Sequence, residues 1–305
     1  MSSRFSDLPV ALGRWQGVLR ENVVLAPHTH LRVGGPARWF AEPWAEEDVA
    51  VLVRTARELE IPLFVLGGGS NLLIADEGVE GIVVTLERMN RTVREKTRLT
   101  AQAGVSLPGL MRSAKDLGLA GLERLAGIPA QVGGAVAMNA GTRDGSTFDL
   151  VVGVTVVDQN GEIRALARSD LAPSYRNGNL GGSIALAATF ELVPDSPQRI
   201  QARLEESLKR RNATQPVAQR SVGCVFQNPP GAVAGALIDQ AGCKLMRQGG
   251  IAVSAKHANY FVNEGEGSAK DFVALMHEVQ RRVKERFAVD LEPEVRFWGG
   301  ASNPS

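Results

Sequence analysis

The element pattern predicts a mixed α and β (α+β) chain in more than one domain, and three observations carry that prediction. A helix over residues 46–60 leads into short apolar strands. From Val151 the pattern turns to β-hairpins. Pro194 and Pro197 then set that region apart from a charged helix and a last mixed segment. At 305 residues there is room for two or three domains, each with a core. The chain is 44% hydrophobic and 22% charged, as ordinary globular proteins are. Lys+Arg 34 against Asp+Glu 33 leaves a net charge of +1, which gives no whole-chain electrostatic reason to expect nucleic acid or an anionic membrane as partner. Met1 to Asp7 lacks the apolar core of a signal peptide, and no stretch of about 18 uninterrupted apolar residues follows, so a cytoplasmic protein without membrane insertion is expected. Cys224 and Cys243 fit a reducing compartment and are too few for a four-cysteine zinc site.

Taken in order, residues 1–25 read as an amphipathic helix and lead-in, with Leu8, Leu12, Trp15 and Leu19 near one stripe. His28 and His30 lack a third ligand cluster, so no metal is expected. Arg32 before Gly34-Gly35 is either a phosphate ligand or a surface arginine before a turn. In the 46–60 helix, Glu46, Glu47 and Asp48 suit the N-terminus, Val49, Leu52, Val53, Ala56 and Leu59 make one face, and Pro62 stops it. Leu63 to Leu66 then runs as a strand into Gly67-Gly68-Gly69-Ser70-Asn71, and Leu72 to Ile74 resumes as strand. Three residues without Cβ let the backbone turn sharply and gather N–H groups for a phosphate, or they form a tight turn only. In a Rossmann unit the glycines open a helix, and in a Walker loop Lys-Ser/Thr follows; neither occurs here.

A helix over 107–117 precedes a second glycine-rich segment, 121–141. There Pro129 is placed to begin a helix, and Gly133, Gly134, Ala135, Ala137 and Ala140 give a surface almost without side chains. A flat group or another backbone could lie on it. Val151 to Val157, the Asn160-Gly161 turn and Glu162 to Ala165 make a hairpin, and a strand over 184–192 follows. The remainder holds helices over 198–212, 233–241 and 268–287, a strand over Tyr260 to Asn263, and a final strand over Leu291 to Phe297.

Three residues outside the glycine segments could carry chemistry. Arg176 lies in a polar loop and reads equally as an exposed cation. Cys224 sits in a turn after Gly223, where a buried structural thiol is the plain alternative. Glu294 alternates onto the face opposite Leu291, Val295 and Phe297, which is either solvated or turned to a cleft, where Arg296 two residues on would favour the ionised carboxylate.

The ordered set of Gly67-Gly68-Gly69-Ser70-Asn71-Leu72-Leu73, Gly127-Ile128-Pro129 to Gly133-Gly134, Met138-Asn139-Ala140-Gly141, Tyr175-Arg176, Gly223 to Pro229, Leu237 to Gly242, His257-Ala258-Asn259 and Leu291 to Val295 resembles the UDP-N-acetylenolpyruvoylglucosamine reductases of bacterial peptidoglycan synthesis, from about residue 25 to 299. The resemblance implies a two-subdomain FAD-binding fold of the vanillyl-alcohol-oxidase (PCMH) type, residues 1–87 and 88–196, followed by a smaller α/β domain, 197–305, for the UDP-sugar. It implies tightly bound, non-covalent FAD and NADPH as co-substrate. NADPH reduces the flavin and leaves; UDP-N-acetylglucosamine enolpyruvate enters the same site, hydride passes from flavin N5 to C3, and C2 is protonated.

By position in the motifs, Arg32, Gly67, Gly68, Gly69, Ser70, Asn71, Gly127, Ile128, Pro129, Gly133, Gly134 and Asn139 are the implied FAD residues. Tyr175, Asn228, Lys244 and His257 are the implied substrate residues, and Arg176, Cys224 and Glu294 the catalytic ones. Arg176 and Glu294 would stabilise the enolate, and Cys224, where the family has serine or, in some members, cysteine, would supply the proton; Cys243 has no such counterpart and reads as structural. The chain departs from the family at Ala130-Gln131, where Gly-Ser or Gly-Thr is usual, at Asn177-Gly178, and at Leu245, where a glycine is usual. The short segment between Tyr175 and Ile184 implies the subtype without the long tyrosine loop. An oxidase of a small alcohol or lactone on the same fold is the alternative, with His28 or His30 as the candidate flavin tether, and a non-catalytic nucleotide-sugar binder is a second.

Overall fold

The computed structural model describes residues 3–13 and 15–300, in two compact units. The first comprises Met1–Glu21, Trp39–Gly68 and Gly81–Lys209; the second comprises Asn22–Arg38, Gly69–Glu80 and Arg210–Ser305.

The first unit opens with helix α1, Ser3–Ala11. It is shorter than the stripe predicts: Gly13 turns at φ 57°, and Leu19 belongs to strand Val18–Val24. Phe5, Leu8 and Leu12 pack with Trp39 and with the buried face of α2, Glu46–Glu58, which presents Val49, Leu52, Val53 and Ala56. The Asp48 carboxylate caps α2 by accepting from the Trp44 and Ala45 amides, both 3.1 Å away. A four-stranded sheet takes Val18–Val24, Pro36–Glu42, Val79–Thr85 and Leu63–Leu66 in that order, the last two pairing in parallel. The Pro36–Glu42 strand was not expected. Its neighbouring glycines and the apolar Trp39-Phe40-Ala41 run mask the alternation, and both faces of that run are buried.

A second sheet, antiparallel throughout, orders Ile163–Ala167, Val151–Val157, Ile184–Glu191, Arg98–Gln102 and Thr92–Glu95. Its core cluster takes in Leu110 and Met111 of α3, Leu107–Asp116, and Val132, Ala135 and Val136 of α4, Val132–Ala137. Pro129 does not begin α4. Leu107 donates to the Ala130 carbonyl at 2.9 Å and Val132 to the Val105 carbonyl at 2.8 Å. Those bonds hold residues 130–131 extended, so the helix starts only at Val132. Helix α5, Pro197–Thr214, passes from the first unit into the second.

The second unit orders Ser221–Cys224, Tyr260–Asn263, Ile251–Val253 and Arg247–Gln248 in one antiparallel sheet. Its core takes Ile238 of α6, Ala234–Gln240, and Phe272, Leu275, Met276, Val279 and Val283 of α7, Ala269–Phe287. Leu31, Val33 and Leu73 complete that core from far upstream. The upstream segments are hydrogen-bonded as well as packed: Asn263 Nδ2 donates to the Leu31 carbonyl at 2.9 Å, and the Asp76 carboxylate accepts from the first α7 amides, Ala269 and Lys270, at 2.8 and 3.1 Å. Leu72–Ile74 pairs in parallel with Arg296–Trp298. The final strand is therefore shorter than the alternation predicts, and Glu294 lies in the extended segment before it, where Leu291 and Val295 are buried. Cys224 is the last residue of a strand rather than part of a turn. Gly223, at φ 79°, breaks the register between Ser221 and Cys224, and such a bulge re-aims the side chain that follows it.

Candidate active site

In the first unit the glycine run and the second glycine segment lie against each other. A Cβ on Gly68 would stand 3.1 Å from the Pro129 carbonyl oxygen, and one on Gly67 would stand 3.7 Å from the Gly134 Cα. The two glycines of α4 differ in kind. Gly133 donates to the Ala103 carbonyl at 2.9 Å, and a Cβ there would collide with Ala103 at 2.9 Å, so close packing explains it. A Cβ on Gly134 would meet no atom within 4 Å, so its bareness serves no packing within the protein. Gly127 turns at φ 81°, and Ile128 beside it is buried. Beside strand Leu63–Leu66, just upstream of Gly67, lies a cavity of about 520 Å³ whose walls mix apolar Val53, Leu63 and Ile184 with polar Arg57, Asp158 and Asn160. No motif marks this cavity in the sequence, because its walls come from four separate segments.

Tyr175 and Arg176 form the tip of a tight turn closed by Ser174 and Asn177, whose amides and carbonyls pair at 2.8 and 3.2 Å. Arg176 sits at φ 55°, its guanidinium lies 4.8 Å from the Tyr175 ring centroid, and it donates to the Gly141 carbonyl at 3.4 Å. Asn139 holds this turn: its Nδ2 donates to the Ser174 carbonyl at 3.0 Å while its Oδ1 accepts from the Phe148 amide at 3.2 Å. Gly178 donates to the Ala137 carbonyl at 2.9 Å and packs so closely on Val136 that a Cβ would stand 2.1 Å from its oxygen.

In the second unit, Gly69 at φ 61° packs on the 28–30 segment; its carbonyl accepts from the His30 amide at 3.0 Å, and a Cβ would lie 2.3 Å from the His28 oxygen. Arg32, at φ 61°, donates to the Pro27 carbonyl. Ser70 adjoins the bulge, 3.9 Å from where a Gly223 Cβ would be. Asn71 Nδ2 donates to the Glu294 carbonyl at 3.1 Å, so the residue ending the glycine run anchors the backbone of the candidate carboxylate.

Cys224 and Tyr260 are cross-strand partners, and the Glu294 amide donates to the Val225 carbonyl at 2.7 Å. Fully buried Asn259 locks this segment, accepting from the Phe226 amide at 3.0 Å and donating to the Phe226 carbonyl at 2.8 Å. Tyr260 is buried too, and its hydroxyl is held protonated by burial first and then by the nearby Cys224 and Glu294, against the effect of Arg211, which donates a hydrogen bond to it. Motif reading did not single out Tyr260 or Arg211; only the register and the end of α5 bring them here. The His257 ring meets Tyr260 edge to face at 4.8 Å, and burial, then the Lys244 charge, hold it below its ordinary pKa. Lys244 pairs with Asp239 at 2.6 Å, and Asn228 Oδ1 accepts from the first α6 amide at 3.0 Å. Cys243, by contrast, is fully buried in the core.

Leu245 occupies the left-handed region at φ 64° and is 62% exposed. That conformation explains why a glycine is usual there. Leu245→Gly is expected to relieve strain and raise stability by about 1 kcal/mol, a shift of ~2 °C in thermal unfolding. An unchanged or lower midpoint would show that the leucine carries no strain.

Residues 37–167 match the FAD binding domain family, and residues 215–298 match the UDP-N-acetylenolpyruvoylglucosamine reductase, C-terminal domain, family. Fold similarity extends to a berberine bridge enzyme, at TM-score 0.51 and 17% identity over 63% of this chain and 44% of that one. The fold and the FAD binding domain match thus define an FAD-dependent flavoprotein of the two-subdomain, PCMH type. The crystal structure of UDP-N-acetylenolpyruvylglucosamine reductase (MurB) from Thermus caldophilus matches at TM-score 0.80 and 36% identity, over 93% of this chain and all of that one. The UDP-N-acetylenolpyruvoylglucosamine reductase of Moorella thermoacetica is 42% identical over 299 residues, 96% of this chain and 99% of that one. The chain belongs to the UDP-N-acetylenolpyruvoylglucosamine reductase family.

Proposed function

We propose that this enzyme uses NADPH and FAD to reduce the enolpyruvyl ether of UDP-N-acetylglucosamine enolpyruvate to UDP-N-acetylmuramate. The observation that carries this reading is the meeting of Cys224 and Glu294 around Tyr260, in a chain of this family. FAD, when bound, takes electrons from NADPH and supplies the hydride that reaches C3 of the enolpyruvyl group. Gly67, Gly68, Gly127, Ile128, Pro129, Gly133 and Gly134 would bring backbone close to the cofactor, and Gly69, Ser70, Asn71 and Arg32 would complete the set. Asn139 contributes through the turn it holds.

Arg176 and Glu294 are assigned to the charge that develops at C2 and spreads into the adjoining carboxylate. Cys224 donates its S–H proton to C2: the S–H bond breaks, the C2–H bond forms, and sulfur keeps the electron pair. A thiol with an ordinary pKa of about 8.5 is mostly protonated near neutrality yet far more acidic than an alcohol. Lys244, His257, Asn228 and Tyr175 are assigned to the UDP-sugar. On this reading residues 1–87 and 88–196 serve FAD and 197–305 the sugar. We also infer a cytoplasmic location and small-molecule rather than nucleic-acid partners, supported by the near-zero net charge. Among the described residues no helix is long and apolar enough to cross a membrane.

Purified protein with a visible flavin band that anaerobic NADPH bleaches and the enolpyruvyl sugar restores would support the reading. A band restored only by oxygen would favour the oxidase alternative, and no flavin even after added FAD would sink the enzyme. The cradle has its own test. Gly134→Leu has room for its side chain, so the fold should persist by circular dichroism while FAD, titrated by fluorescence quenching, binds at least ~10-fold more weakly, about 1.4 kcal/mol. Unchanged FAD affinity would remove Gly134 from the cofactor residues.

A further inference from the structure

Around Cys224 stand more groups than the proposed reaction uses. Arg211, in the last turn of α5, donates a hydrogen bond to the Tyr260 phenol oxygen. Arginine has only donors, so the phenol accepts, and a protonated phenol leaves the guanidinium charge uncancelled. Arg211 Nε is buried and has no hydrogen-bond partner among the described residues, and neither has Gln215 Oε1 one turn further on. A buried, unpaired donor on a cation is unfavourable unless an anion or a polar group comes to meet it. Tyr260 is the cross-strand partner of Cys224, so their side chains share a face of the sheet, and Glu294 is tied to Val225, the next residue along.

The charges in this group oppose one another. The thiol must become a thiolate when it releases its proton, and a carboxylate at Glu294 disfavours that second negative charge. His257, held below its ordinary pKa by burial and then by Lys244, is disfavoured as a compensating cation. Arg211 is the cation that reaches Tyr260, while Lys244 lies against His257. We propose that Arg211, fixed by the Tyr260 hydroxyl, is the positioning residue that makes Cys224 an effective acid, by stabilising the thiolate left after proton delivery until solvent returns the proton. This rests on the reading of Cys224 as proton donor. Tyr260 is thereby a positioning residue as well: it takes no proton and gives none, and its hydroxyl fixes where the guanidinium stands.

The test uses the FAD-loaded full chain and measures the rate of Cys224 alkylation by iodoacetamide against pH, by mass spectrometry of the Cys224 peptide; the buried Cys243 serves as internal control. Arg211→Gln is expected to raise the midpoint of alkylation by about one pH unit, with Arg211→Lys between it and the parent. Tyr260→Phe keeps the ring and its contact with His257 while freeing the guanidinium, and should raise the midpoint by less; it also serves if Arg211→Gln fails to fold. In the same variants reoxidation of reduced enzyme by the enolpyruvyl sugar should slow about tenfold with an altered solvent isotope effect, while reduction by NADPH is unchanged. An unmoved alkylation midpoint in folded Arg211→Gln overturns the inference even if Cys224→Ala is inactive. A raised midpoint alongside full turnover by Cys224→Ala overturns it differently, because the thiol would then not be the acid.

Discussion

Cys224→Ala should reduce its flavin with NADPH at the parental rate and then turn over the enolpyruvyl sugar ~10²- to 10⁴-fold more slowly, the range that a positioned general acid contributes. The split follows from chemistry. Only the second half-reaction puts a proton on carbon, and on the proposed reading Cys224 is the source of that proton. Cys224→Ser should keep most of the activity, since a hydroxyl at the strand end after Gly223 occupies the same place and serves in other members of the family. Stopped-flow absorbance of the flavin, with each substrate added separately, reads both halves. Equal loss in both would mark Cys224 as a structural thiol, and that outcome is physically open because its strand neighbours Val222, Val225 and Phe226 are core residues.

The second large effect is expected at Arg176. Its guanidinium sits at the tip of a two-residue turn whose base is fixed to the segment after α4 by Asn139 and Gly178. A donor placed before charge develops is worth more than one that must reorganise, and removing such a donor elsewhere costs ~10²- to 10³-fold in kcat, about 3 to 4 kcal/mol. Arg176→Gln should therefore lose that much in sugar turnover with little change in FAD affinity. Arg176→Lys should recover only part, because an ammonium lacks the planar fork that grips a carboxylate. Asn139→Ala should show a smaller loss of the same kind, through a looser turn. If Arg176→Gln raised only KM and left kcat intact, Arg176 would bind the sugar without acting on the charge that forms during reaction.

Much of this was legible before any coordinates. Helices α2, α5, α6 and α7 fall within a few residues of the ranges the sequence predicts, and Tyr260–Asn263 is a strand as expected. The misplacements have local causes. Pro129 carries the chemistry of a helix start, but its neighbours are held extended by bonds to Val105 and Leu107, which a one-dimensional pattern cannot weigh. Leu19 fits a helical stripe and yet pairs in a sheet, because Gly13 ends the helix first. Cys224 follows a glycine that reads as a turn and is a bulge within a strand.

The candidate site divides in the same way. The glycine run, the small-residue helix and the family's ordered motifs are contiguous or nearly so, and backbone chemistry at Gly67, Gly68 and Gly69 is fixed by the absence of side chains there. The sequence by itself therefore determined the cofactor class, the family, and which arginine, thiol and carboxylate to consider. It also marked Leu245 as a departure. Only the tertiary structure showed why: the backbone turns left-handed at that point. Only the tertiary structure separated Gly133, which packs, from Gly134, which is bare. It alone seated Leu31, Val33 and Leu73 in the core of the second unit, and drew Arg211, Cys224, Tyr260 and Glu294 into one group. Those residues come from a helix end, two strands and an extended segment, so no period or spacing connects them. What joins them is a strand register and a set of hydrogen bonds, and these exist only once the chain has folded.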